Sequence, residues 1–194
     1  METKTRKAAT AHKIIEAGEG VLNLVWGKAD ERRAASLEII ARTAYTAEES
    51  ACHYLETIGL DKEGTIRDTL ELARYQDTNE QTHEDIFARD LDGLKNWGDR
   101  FLARHIAVVI YWVFAITTLI DHEMAALLGE AVEVEAVKTY RRMLKEQPEE
   151  WLDQPAAPTA TYDWEKPNSR WRGRGDHMPG SVRDVVEAIV RDEA

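Results

Sequence analysis

A carboxylate and an imidazole three residues apart form a metal-binding pair when both sit on a helix, because that spacing puts them on one face. The sequence contains such a unit in Glu80-Gln-Thr-His83. Taken alone it is common by chance, and a helical glutamate usually marks a solvated edge. Three more acids strengthen it. Glu38 shares a helical face with Ala34, Ala41 and Tyr45, and Glu133 stacks with Ala136, Val137, Tyr140 and Leu144. Glu193 continues the apolar stripe of Val182, Val186 and Ile189, and Glu80 recurs with Ile66, Ala73 and Phe87 at heptad spacing. Separate helices thus each place an acid where a core residue belongs. A buried, unpartnered carboxylate costs several kcal/mol, so converging acids need protons, cationic partners or metal ions between them. Paired iron or manganese ions are the helix-bundle solution, held by a Glu from each of two helices and Glu-x-x-His from two others.

Such a site requires long helices. Every proline lies between Pro148 and Pro179, which leaves a long proline-free block before them. Helical spacing of apolar residues recurs there, and sustained strand-like alternation does not. The spacing predicts helices at about 8–26, 31–58, 65–89, 99–121 and 123–145, a loop over 146–180, and a last helix from about 182. Asp30 and Ser181 suit N-caps, and Gly27, Gly59 and Gly93 fall where helices should stop. The fold class is all-α, a bundle. It divides into an N-terminal arm or helix (1–30), a bundle core (31–145), a Pro/Trp-rich loop (146–180) and a last ligand helix (181–194). The loop carries Trp151, Trp164 and Trp171, the last among Arg170, Arg172 and Arg174. Either tryptophans pin the loop to the bundle, or a Trp–Arg cluster sits at a membrane interface.

Composition removes other classes. Against 36 Asp and Glu stand 25 Lys and Arg, a net charge of -11 that disfavours nucleic acid as a partner. One cysteine, Cys52, excludes an intrachain disulfide framework and a Cys-rich zinc site. No apolar h-region follows the basic start, so no secretory signal is expected. The longest apolar run, Ile106 to Ile120, falls short of the ~18–20 residues that cross a bilayer. It is either a central buried helix or a helix lying in one leaflet.

At this point the motifs become recognisable. LEIIARTAY (37–45), HYLETIG (53–59), Asn79-Glu80 with His83, FLARHIA (101–107), Val132-Glu133 through Tyr140, and VRDVVEAIVRDEA (182–194) occur in order at consistent spacing. Together they resemble the plastid-type terminal oxidases, a branch of the alternative oxidase family. The resemblance implies a ferritin-like four-helix bundle with additional N-terminal and membrane-facing helices. It implies a di-iron quinol oxidase that oxidises ubiquinol or plastoquinol and reduces dioxygen to water without pumping protons. It further implies a homodimer on one membrane leaflet, at a cytoplasmic or stromal face. Iron ligands would be Glu38, Glu80, His83, Glu133 and Glu193, a set that also suits manganese. Tyr140 would do redox or proton-coupled work, Asn79 and Asp192 would orient ligands, and Arg33, Leu37, Ala136 and Thr139 would line the quinol pocket. Arg33 has a plainer reading, a solvated residue beside Arg32.

Leu55-Glu56-Thr57 spells the family's Leu-Glu-Thr literally, yet Glu56 lies ~27 Å along the same helix from Glu38, so both cannot serve one cluster. The surrounding IARTAY and the 42-residue interval to Glu80 favour Glu38. Two departures stand out. The chain stops at Ala194, before the histidine of the family's last Glu-x-x-His, and reads either as a fragment with a truncated ligand helix or as a protein lacking a sixth protein ligand. Thr46-Ala47-Glu48-Glu49-Ser50 is polar where relatives are apolar and membrane-facing. Alternative functions are another carboxylate-bridged di-iron protein, a hydroxylase or ferroxidase, or a catalytically inactive membrane-associated bundle.

Overall fold

A computed structural model describes residues 2–61, 64–175 and 177–194. Among these the chain is helical and has no strand, only a lone bridge between Pro155 and Ser181. The long helices are α1 (Glu2–Val25), α2 (Glu31–Thr57), α3 (Thr65–Glu84), α4 (Trp97–Ile120) and α5 (His122–Glu146). Three short helices follow, α6 (Glu149–Leu152), α7 (Pro158–Glu165) and α8 (Arg170–Gly173), and α9 (Val182–Asp192) ends the described chain. α2 packs along α3 on one side and α4 on the other, while α5 lies against α1 and α9. This order brings α2, α3, α5 and α9 around one interior.

Capping sets where the site helices begin. The Asp30 carboxylate accepts the Arg33 backbone N–H at 3.1 Å, fixing the start of α2 at Glu31, seven residues before Glu38. Ser181 and Asp184 form a reciprocal capping box that starts α9. Val182, Val185, Val186, Ala188 and Ile189 then bury one face of that short helix. Its stability comes from the buried face, since a helix of this length is marginal alone.

Two features differ from the periodicity reading. The expected 65–89 helix splits, because a π-helical turn occupies Asp85–Asp90 directly after α3. Leu91 N–H reaches back five residues to the Ile86 carbonyl at 3.0 Å. The extra residue breaks the 3.6-residue register, so apolar spacing alone does not reveal it. The turn then closes against α2, where a Cβ on Gly93 would lie 2.3 Å from the Glu31 carbonyl oxygen.

The 146–180 segment is not a bare loop. Leu152, Ala157, Ala160 and Trp171 are buried, and Trp151 and Trp164 pack half-buried against the same core. The tryptophans therefore turn inward and hold the segment to the bundle. Helices of one or two turns are too short to show a period, which is why the sequence reads as loop.

α4 extends beyond the apolar run. Its 24 residues are long and apolar enough, by length and composition, to cross a membrane. One face, with Asp99, Ala103, Ala107, Phe114 and Thr118, is buried on the bundle. The opposite face exposes Val108, Val109, Trp112, Val113, Ile116 and Ile120. A contiguous apolar face of this kind marks a contact surface. The polar stretch Thr46–Ser50 does not share it. There Thr46 bonds Asp77 and Glu49 pairs with Arg74, both on α3.

Candidate metal centre

Glu38 from α2, Glu80 and His83 from α3, Glu133 from α5 and Glu193 at the C-cap of α9 meet in the interior. One group of potential donor atoms comes from Glu38, Glu80 and His83, and a second from Glu80, Glu133 and Glu193, each lying within 4.8 Å. A third joins His83, Asp192 and Glu193 by the same measure. Glu80, His83 and Glu193 each belong to two of these groups, so the three groups form one continuous cluster. Glu38, Glu80 and His83 are almost wholly removed from solvent.

The donors face each other without satisfying each other. Glu38 Oε2, Glu80 Oε1 and Glu133 Oε2 are buried with no hydrogen-bond partner. His83 Nδ1 lies 3.0 Å from Glu193 Oε1 and 3.7 Å from Glu38 Oε2, yet neither contact is aligned as a hydrogen bond. Orphaned lone pairs aimed at a shared space are costly in a dry core. A divalent cation satisfies them, and carboxylate with imidazole is the donor set that iron or manganese accepts. The residues present therefore fit a metal centre.

Electrostatics point the same way. Burial pushes the Glu38, Glu80 and Glu133 carboxyls well above the usual carboxylate range, and their mutual charge adds to it. Burial also opposes ionisation of Glu193, but its close contacts with Glu133 and His83 outweigh it and hold its carboxyl low. Burial alone would lower His83, and Asp192 and Glu193 reverse this to about 10. Burial would raise Asp192, and His83, Arg170 and Arg174 hold it at about 2.

Around the donors, Asn79 Nδ2 donates to Glu193 Oε1 at 3.5 Å. Asp192 Oδ2 lies 3.5 Å from His83 Nε2, on the ring edge opposite the acids. Tyr140 is fully buried with an unpartnered hydroxyl, and its ring stacks on Phe87 of the π-helical turn at 5.4 Å. Glu56 sits apart near the end of α2, paired with Arg67 at 3.0 Å, so the cluster uses Glu38.

Beside the cluster is an apolar cavity of ≈ 210 Å³ between α1, α2, α4 and α5. Its wall includes Leu22, Leu37, Ile40, Ile110, Phe114 and Val132. Leu37 and Val132 directly precede Glu38 and Glu133, so cavity and cluster share the same helical turns. Of the expected pocket residues, Leu37 is on the wall, whereas Arg33, Ala136 and Thr139 are buried without lining it. Arg33 is not solvated. Its guanidinium pairs with Glu19, which lines the cavity, and donates to the Trp26 carbonyl at 2.8 Å.

Sequence reading gave no role at the site to four participants. Tyr45 donates its hydroxyl to Glu133, a role signalled only by sharing the Glu38 stripe. Glu19 had no signal, because α1 shows no pattern that links it to the cavity. Arg170 and Arg174 reach Asp192 from a segment that reads as loop.

The alternative oxidase family model matches residues 3–194 of the chain. Ubiquinol oxidase 4, chloroplastic/chromoplastic, of Arabidopsis thaliana is 36% identical over 120 residues, covering 62% of this chain and 33% of that protein. The match thus spans about a third of the relative's length. No solved structure matches the chain.

Proposed function

The chain belongs to the alternative oxidase family, and from that premise we propose that it is a di-iron quinol:oxygen oxidoreductase acting at a membrane surface. One observation carries the reading. Four glutamates and a histidine from four helical elements converge in a dry interior with orphaned oxygens, and an apolar cavity adjoins them.

In this reading Glu38, Glu80, His83, Glu133 and Glu193 would hold two iron ions; manganese suits the same donors. Bound iron supplies the one-electron chemistry that couples quinol oxidation to dioxygen reduction to water. The chain's own residues do the rest. Asn79 orients Glu193, Asp192 orients His83, and Tyr45 holds Glu133 by a hydroxyl hydrogen bond. Tyr140 is placed for proton or electron transfer by burial and by stacking on Phe87. Quinol, ubiquinol or plastoquinol, enters the cavity against Leu37, with Arg33, Ala136 and Thr139 behind the wall. The apolar walls exclude water and favour a hydrophobic ring over a charged substrate.

The exposed face of α4 supports a place in one leaflet, cytoplasmic or stromal, where a lipid-soluble quinol arrives. Its opposite face is committed to the bundle through Asp99, which accepts from Trp26 at 2.9 Å and from Arg32 at 2.9 and 3.0 Å. That burial favours lying in the surface over spanning it. The reading includes a homodimer, the assembly the family resemblance implies.

The test is oxygen uptake by the iron-loaded chain in liposomes supplied with quinol. Quinol-dependent uptake is expected, and Glu80→Gln abolishes it. Uptake driven by ferrous ion but not by quinol would instead mark a ferroxidase or hydroxylase. Protein made with ample iron yet containing none would mark an inactive bundle.

A further inference from the structure

Asp192 is a carboxylate whose side chain has no solvent exposure, and besides His83 it is faced by two cations from outside the bundle helices. Its Oδ1 takes Arg170 Nη2 at 3.1 Å and also Arg174 Nη1. Its Oδ2 faces His83 Nε2 at 3.5 Å. Arg170 is held on a second side by α3. Its guanidinium lies 4.2 Å over the Tyr75 ring, and its Nη1 donates to Gln76 Oε1 at 3.4 Å. One guanidinium therefore ties α3, which carries Glu80 and His83, to the end of α9, which leads into Glu193. Between the two arginines, Trp171 is buried in the core, and Ser169 caps α8 by accepting the Arg172 N–H. The arginines are thus delivered from a fixed base.

The chemical consequence falls on the histidine ring. The Asp192 carboxylate faces Nε2, so that edge of the ring is held against the end of α9 while Nδ1 is turned toward Glu38 and Glu193. Without cations beside it, a buried Asp192 would be an uncompensated charge. It would then lose its position, and the ring would lose its orientation.

We propose that Arg170 and Arg174 are positioning residues of the metal centre, acting through Asp192 to fix the His83 ring and the segment bearing Glu193. This rests on the metal reading given above. Neither arginine belongs to the donor groups or lines the apolar cavity. A planar, two-sided guanidinium suits the role because it can stack on Tyr75 and bond Asp192 at once, which an ammonium cannot do.

The experiment is a double-mutant cycle on the full chain, read by ferrous-ion affinity and by amide hydrogen exchange of residues 182–194 without metal. Arg170→Met is expected to weaken iron binding ~10–100-fold, the scale seen for residues that orient ligands. It should speed exchange in 182–194 and lower kcat with little change in KM. In an Asp192→Asn background the same substitution should cost nothing further, because its route of action is already gone. Arg170→Lys should recover part of the loss. Parent-like iron affinity in Arg170→Met, or an undiminished cost in the Asp192→Asn background, overturns the proposal. Should Arg170→Met fail to fold, Arg174→Met, whose side chain is a third exposed, carries the same cycle with the same outcomes. Glu80→Gln is the control. If it keeps iron, the metal reading itself falls and this proposal with it, whereas loss of iron there with no effect of the arginines sinks the proposal alone.

Discussion

Two interiors share α2 and differ in kind. One holds Glu38 among three other acids and a histidine, with unsatisfied oxygens turned toward one another. The other, reached from Leu37, Ile40 and Ala44, is an apolar cavity whose acids, Glu19 and Glu135, are turned to cations, Arg33 and Lys138. In the second, each charge is paired and the space itself is free for an apolar guest. In the first, the charges are left for something that is not protein. Adjacent residues on one helix thus serve a donor cage and a hydrophobic slot, because successive positions point about a quarter-turn apart. What distinguishes the regions is the presence of partners: the acids at the cavity have side-chain cations, whereas Glu38, Glu80 and Glu133 each keep a buried oxygen with no partner.

The comparison can be broken most decisively at the cluster. Glu80→Gln removes a donor common to two groups, so iron content and quinol-dependent oxygen uptake should both fall to background, as measured by metal analysis and an oxygen electrode. The same variant in metal-free form should melt higher than the parent, since it removes a buried acid whose ionised form is disfavoured. Filling the cavity with Ala44→Phe should raise KM for quinol ~10-fold, about the 1.4 kcal/mol that a crowded apolar slot loses, while iron content stays at the parent level. If both parameters move together in that variant, the two interiors are one.

A third prediction concerns Glu48, a buried acid outside the cluster with an unpartnered Oε1. Burial raises its carboxyl to about 7 from an unfolded value of 4.5. The folded state therefore binds the proton more tightly, and stability falls as pH rises through that window, levelling off above it. Glu48→Gln should abolish this slope and stabilise the chain on the order of 1–3 kcal/mol at pH 8, with little change at pH 4. Denaturant midpoints at the two pH values decide it. The smallest effect is expected at the cap of α9. Ser181→Ala loses the bond to the Asp184 N–H and should cost ~1 kcal/mol, seen as faster amide exchange in 182–194.

Much was legible because helices announce themselves locally. The 3.6-residue spacing in the proline-free block marks the long helices, and acids on apolar stripes mark which of them turn carboxylates inward. Glu38, Glu80, Glu133 and Glu193 were readable as core-facing from neighbours within two turns. Motif order then identified the family. Residues such as Tyr45 and Asn79 could be placed on a face from the sequence, but not assigned a partner.

Other features depended on contacts between segments far apart in the chain. No local pattern says that Glu19 in α1 meets Arg33 in α2, or that Arg170 and Arg174 close on Asp192. The π-helical turn after His83 and the short helices of 146–180 also escaped, since one inserted residue or a single turn carries no period. Sequence determined which faces are apolar and which acids violate them, because side-chain direction repeats along one helix. Tertiary structure alone decided which charge meets which, because partners on different helices are set by packing, and packing is a property of the whole fold.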